Sequence, residues 1–306
     1  MPDIKRHILA ALAYFDLFNY PLTADEIYFF LPAKHNYEEF ESALYCLTAE
    51  RHVFRFDRFY SLKNDRFLIE RREKGNAKAG EMMAAARKVG DLLIRFPFVR
   101  GVAISGSLSK NFADDDSDID LFIITAKNRL WIARTLMHFF KKFTFLVNKE
   151  HYFCMNYYID EDDLAIHEKN VYTATEVATL IPLHGDTVFE HFYAANAWTR
   201  NFLPNKYLRL ATAKPVKRSA LKRCVEFLFG SALGCTIDNL LMRITSKRWQ
   251  KKMQQKKKNN RGIIMAMDCG KHYAKPDPFN FQFKLISSYQ NRIEQVMEQS
   301  EGIAAQ

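Results

Sequence analysis

Apolar positions in the first sixty residues fall at helical spacing and then switch to alternation. Ile4, Ile8, Leu9, Leu12 and Phe15 share one face of a helix. Thr23 and Glu26 have capping-box spacing ahead of a second helix bearing Ile27, Phe30 and Leu31. Asn36 and Glu39 open a third in the same way, with Phe40, Ala43, Leu44 and Leu47 as its apolar face. The stretch HVFRFDRFYSL alternates on either side of Asp57 and Arg58, which predicts a hairpin. Residues 63–94 read as helix broken near Gly75, with Met82, Met83, Ala86, Val89, Leu92 and Leu93 as a core-facing stripe. From Phe96 the period changes. FVRGVAISGS and DIDLFIIT are short buried strands, 128–143 is a helix, and HYFCMNYYI from His151 to Ile159 is a third strand. Helices are predicted after that: TATEVATLIPL behind a Thr173 and Glu176 capping box, then 186–201, 221–252 and 280–297.

Strand, loop, strand, helix, strand puts the middle of the chain in the α/β (α+β) class, with a small mixed sheet. Three units are expected: 1–63, 64–165, and a mostly helical 166–306. Three helices and a hairpin in the first unit resemble a winged helix-turn-helix. That fold often binds DNA, but the helix that would enter the groove carries Glu38, Glu39, Glu41 and Glu50, which phosphates repel. A structural or protein-contact role is expected of this winged-helix-like module.

Composition narrows the picture. A chain of 306 residues, 48% hydrophobic, can fill two or three cores. No secretory pattern opens it, so a cytoplasmic protein is expected. Five scattered cysteines without a CxxC pair read as reduced core residues. The net charge of +10 is local: nine Lys or Arg and no acid lie between Asn239 and Met267, leaving +1 for the rest. The basic segment 243–261 reads as a solvated helix end and loop. The alternative is a surface for nucleic acid or an anionic membrane. The apolar run from Val225 to Ile244 carries Glu226, Asp238 and Arg243, so a buried or groove-facing helix is expected there and no transmembrane segment.

Candidate chemistry sits in SGSLSKNFADDDSDID, residues 105–120. In a strand, Asp118 and Asp120 share a face while Ile119 and Leu121 face the core. Two such carboxylates, about 6.5–7 Å apart at Cα, repel when ionised, and a hard divalent cation relieves the repulsion. Gly106, twelve residues before Asp118, lets the backbone approach a ligand, and the Ser107 hydroxyl and nearby N–H groups can donate to phosphate. An EF-hand is excluded, because no register supplies Gly at its sixth position and Glu at its twelfth. No P-loop or nucleophile elbow is present.

Gly106-Ser107, ten residues, then Asp118-Ile119-Asp120, with Ser117 ahead, resembles the signature of the polymerase-beta-type nucleotidyltransferase superfamily, in particular its minimal members, over roughly residues 80–165. The resemblance implies transfer of an NMP group from an NTP to an acceptor (a small molecule, a protein hydroxyl or an RNA end) with release of pyrophosphate. It further implies that Gly106 and Ser107 bind the triphosphate and that Asp118 and Asp120 hold Mg²⁺, two ions in all. Lys110 and Asn111 stand where the family has Arg and Gly. Lys110 keeps the charge for nucleotide binding and Asn111 tolerates a left-handed backbone. The family's third carboxylate falls at Asn156, which cannot accept a proton at neutral pH. An alternative is therefore a non-catalytic nucleotide-sensing or nucleic-acid-binding adaptor with a degenerate core.

Overall fold

In the computed structural model the described residues are 2–145, 153–206, 213–216, 219–256, 267–276 and 281–303. The N-terminal elements are α1 (Asp3–Asp16), β1 (Leu22–Thr23), α2 (Ala24–Phe29), α3 (Tyr37–Ala49), β2 (Phe54–Phe56) and β3 (Phe59–Ser61). The Thr23–Glu26 capping box forms as its spacing predicts, Asn36 caps α3 through the Glu38 N–H, and Asp57 turns the hairpin at φ 54°. β1, β3 and β2 make a three-stranded antiparallel sheet.

A long helix, α4 (Phe67–Leu93), leads to the central elements: β4 (Val99–Ile104), α5 (Gly106–Ser109), β5 (Asp120–Thr125), α6 (Leu130–Phe145), β6 (Cys154–Asp160), α7 (Val171–Thr179) and β7 (Ile181–His184). After α8 (Asp186–Ala195) and a 3₁₀ turn come α9 (Ala220–Leu228), α10 (Ala232–Gln254), the hairpin β8 (Met267–Cys269) and β9 (Tyr273–Pro276), and α11 (Phe281–Ile303). Six strands form one mixed sheet in the order β7-β4-β5-β6-β9-β8, in which only β5 and β6 run parallel. Strand alternation fills both faces. Val102, Ile104, Leu121 and Ile123 pack with α4, α6 and α10, while Ala103, Phe122 and Ile124 pack with Phe189 and Phe192 of α8. The mixed α/β expectation for the middle of the chain holds.

Several expectations are corrected. α4 runs unbroken through Gly75, where a Cβ would collide with the Phe112 ring, so this glycine permits a close approach and does not end the helix. The capping box of α7 is Asn170 with Thr173, not Thr173 with Glu176, and Ile181–His184 is a strand, because antiparallel pairing with β4 outweighs local helical spacing. The 221–252 helix is two helices bent by 93°. Its Val225–Ile244 run is covered on one face only: Val225, Phe229, Ile237, Leu241 and Met242 pack against the core, while Phe227, Leu228, Leu233 and Leu240 are exposed. None of the five cysteines is buried, though all are free thiols. The β8–β9 hairpin escapes sequence reading because three- and four-residue strands have no measurable period. His151, Asn280 and the basic residues Lys257, Lys258 and Arg261 lie outside the described residues.

Candidate active site

Two adjacent antiparallel strands bring the signature together. β4 ends at Ile104, whose partner across the ladder is Leu121, and the Ser105 N–H donates to the Asp120 carbonyl at 2.9 Å. Gly106 therefore starts its turn directly beside Asp120. Its φ of +64° favours glycine, and a Cβ there would run into Asp120 Oδ2. Asp120 is the first residue of β5. Asp118 precedes the strand proper, yet alternation still sets its environment: Ile119 is fully buried while Asp118 and Asp120 keep a minor part of their surface exposed. Asp114, Asp115 and Asp116 are exposed on the loop, where Ser117 donates to Asp114 Oδ1 at 2.6 Å.

The loop between the two halves is tied down at both ends. Ser109 Oγ donates to the Gly106 carbonyl at 2.8 Å, and Asn111 takes the left-handed backbone (φ 59°) that its residue type tolerates. Lys110 Nζ donates to the Gly106 carbonyl at 3.1 Å and pairs with Glu176 Oε1 of α7 at 2.8 Å. Ser107 is exposed at the head of the turn. The N-terminal elements reach this loop too. Tyr20 donates to the Lys110 carbonyl, and Phe112 packs into the N-terminal core with Arg71 4.5 Å above its ring.

Asn156, the residue expected at the third-carboxylate position, lies against Asp120. β5 and β6 pair Asp120 with Cys154, and the register shifts between Leu121 and Phe122 so that Asn156 is the extra residue of a bulge. Its amide donates to Asp120 Oδ1, leaving Oδ2 turned toward Gly106. Cys154, expected in the core, lies half-buried here and donates to Asn156 Oδ1 at 3.1 Å; burial pushes its thiol up to about 12, so it stays protonated. Asp160, the next acid on β6, pairs with Thr125 at the far end of β5, about 16 Å along the strand, and is fully buried against His272 and Asn128. It cannot act on Asp120.

Burial, then the fields of Asp118 and Glu176, raise the Asp120 carboxyl from 3.8 to about 7. Asp118 and Glu176 thus both act on Asp120 with like charge, Lys110 opposes them, and that excess negative charge suits a divalent ion. Among the described residues no group of three or more His, Cys, Asp or Glu is placed to hold a metal ion alone. An aspartate pair completed by substrate phosphates is a site of the magnesium kind. Glu176 was missed in the sequence as a site residue, because its spacing from Thr173 looked like a cap and nothing local marks its contact with Lys110.

No curated protein and no solved structure matches the chain. Residues 87–183 match a family model described as a nucleotidyltransferase domain, and Gly106, Ser107, Lys110, Asp118, Asp120, Asn156 and Glu176 all lie within that span. The chain carries a nucleotidyltransferase domain of the polymerase-beta type at residues 87–183.

Proposed function

We propose that the protein is an Mg²⁺-dependent nucleotidyltransferase that moves an NMP group from an NTP to an acceptor hydroxyl and releases pyrophosphate. The observation that carries this reading is Asp120 itself: a carboxylate set against Gly106, oriented by Asn156 and crowded by Asp118 and Glu176. In this reading the turn N–H groups and the Ser107 hydroxyl donate to the triphosphate. Asp118 and Asp120 would hold two Mg²⁺ ions, which when bound neutralise charge on the attacking and leaving oxygens.

Lys110 has two duties. Its ammonium holds the loop through the Gly106 carbonyl, and an incoming triphosphate competes with Glu176 for it. Lys110 released from Glu176 then faces phosphate, and the freed Glu176 is the group we assign to the acceptor's proton, a role Asn156 cannot take. The N-terminal elements are read as a winged-helix-like module with a structural or protein-contact role, bracing the nucleotide loop through Tyr20 and the packing of Phe112 into their core.

A second reading rests on Asn156. With an amide in place of a third carboxylate, the domain would bind nucleotide without transferring it, as a sensor or adaptor. Incubation with radiolabelled NTPs, Mg²⁺ and a cell extract separates the two. Transfer of label that is lost in Asp118→Asn and Asp120→Asn supports the enzyme. Equal labelling by wild type and variants, or nucleotide binding without any labelling, rejects it.

A further inference from the structure

Away from this site, the α9–α10 elbow has an unusual surface. α9 ends in Phe227 and Leu228, 86% and 63% exposed, and α10 begins after a 93° bend with Leu233, 60% exposed. Leu240 and Ile244, also exposed, follow Leu233 by seven and eleven residues and so continue one face of α10. Lys247 and Lys251 extend that face toward the C-terminal end of the helix, flanked by Arg243 on one side and Arg248 and Lys252 on the other.

The charges along these two helices are sorted by direction. Only two acids occur between residues 220 and 256, and both turn inward. Glu226 receives Arg100 at 2.7 Å and the Phe98 N–H, while the buried Asp238 accepts the Ile132 N–H at 2.8 Å. The single inward-turned lysine, Lys222, is fully buried and donates to the carbonyls of Ile94 and Val99. The outer surface of α9 and α10 therefore combines large apolar side chains at the elbow with Arg223, Arg243, Lys247, Arg248, Lys251 and Lys252, and the only acids of these two helices are the Arg100-paired Glu226 and the buried Asp238.

We propose that this elbow is a docking surface for a lipid bilayer with anionic headgroups, lying in the interface with Phe227, Leu228, Leu233 and Leu240 in the acyl boundary and the basic end of α10 among the headgroups. Clustered cations and exposed Phe and Leu on one bent element are the features such interfacial helices use. No single described helix is long and apolar enough to cross a membrane; α9 and α10 reach that length and composition only together, broken by the 93° bend, and the lysines on the same face as Leu233 favour an in-plane arrangement. A second copy of this chain fits less well, because a two-fold contact would set these cations against their own images. Nucleic acid would satisfy the lysines but leave four exposed Phe and Leu side chains without a partner.

The test is co-sedimentation of the full chain with vesicles of phosphatidylcholine, with or without phosphatidylserine. Binding to the anionic vesicles is expected, weakening as salt is raised. The exposed double variant Phe227→Glu, Leu228→Glu should abolish it with an unchanged melting temperature. Lys247→Gln with Lys251→Gln should weaken it by roughly 25-fold, about fivefold per charge removed. The proposal is overturned if the chain ignores anionic vesicles, or binds neutral and anionic ones equally. It is also overturned if the elbow variant alters only self-association, or if the lysine variant loses a nucleic acid oligonucleotide while vesicle binding stays as it was.

Discussion

Replacing Asp120 by Asn should make the metal-free protein more stable, and increasingly so as the pH rises. Folding lifts the Asp120 carboxyl from 3.8 to about 7, through burial first and then the charges of Asp118 and Glu176. Ionising it is thus harder in the folded state than in the unfolded chain. The penalty is absent below the unfolded value, grows between the two values and is complete above about 7. At about 1.4 kcal/mol per unit, it amounts to roughly 2 kcal/mol at pH 5 and roughly 4 kcal/mol at pH 8. The substituted amide never ionises, and its carbonyl can still accept from the Asn156 amide, so the hydrogen bond is kept.

The assay is denaturation of wild type and Asp120→Asn in EDTA across that pH range. The difference between them should grow in the variant's favour by about 2 kcal/mol, whatever constant offset the substitution brings. Adding Mg²⁺ should stabilise wild type and leave the variant unchanged, because binding requires the deprotonated carboxylate. A difference independent of pH, or one that grows in favour of wild type, would refute the claim that Asp120 is a strained carboxylate awaiting a cation.

Asn156→Asp places a carboxylate directly against Asp120, at the family's third-carboxylate position, and should raise Mg²⁺ affinity in a calorimetric titration while destabilising the metal-free protein by about 1–3 kcal/mol. Glu176→Gln frees Lys110 and removes the assigned proton acceptor, so nucleotide should bind more tightly while turnover falls. If Glu176 only tethers Lys110, nucleotide will bind more tightly with turnover unchanged. Phe112→Ala empties a buried ring site between the nucleotide loop and the N-terminal core, and should cost about 3–5 kcal/mol in urea denaturation as well as weaken nucleotide binding.

Much of the candidate site's geometry was legible in the sequence because its logic is local. Two aspartates separated by one core-facing residue, and a glycine at the end of a strand, are statements about period and backbone freedom. They reappear as the partly exposed Asp118 and Asp120 around the buried Ile119, and as Gly106 at positive φ. The first capping box, the hairpin at Asp57 and the left-handed Asn111 were readable for the same reason.

Other features depended on which surfaces meet. Gly75 looked like a helix break until Phe112 came to lie against it, and Glu176 looked like half of a cap until α7 carried it to Lys110. The IPLH stretch became a strand because β4 offered it an open edge. The apolar run after Val225 looked buried because composition records how apolar a helix is and not whether anything covers it; folding left Phe227 and Leu228 outside. Sequence by itself set the chemistry each residue could perform and the period of each element. Tertiary structure decided the partners, because a side chain's burial and its neighbours' charges come from segments far away along the chain.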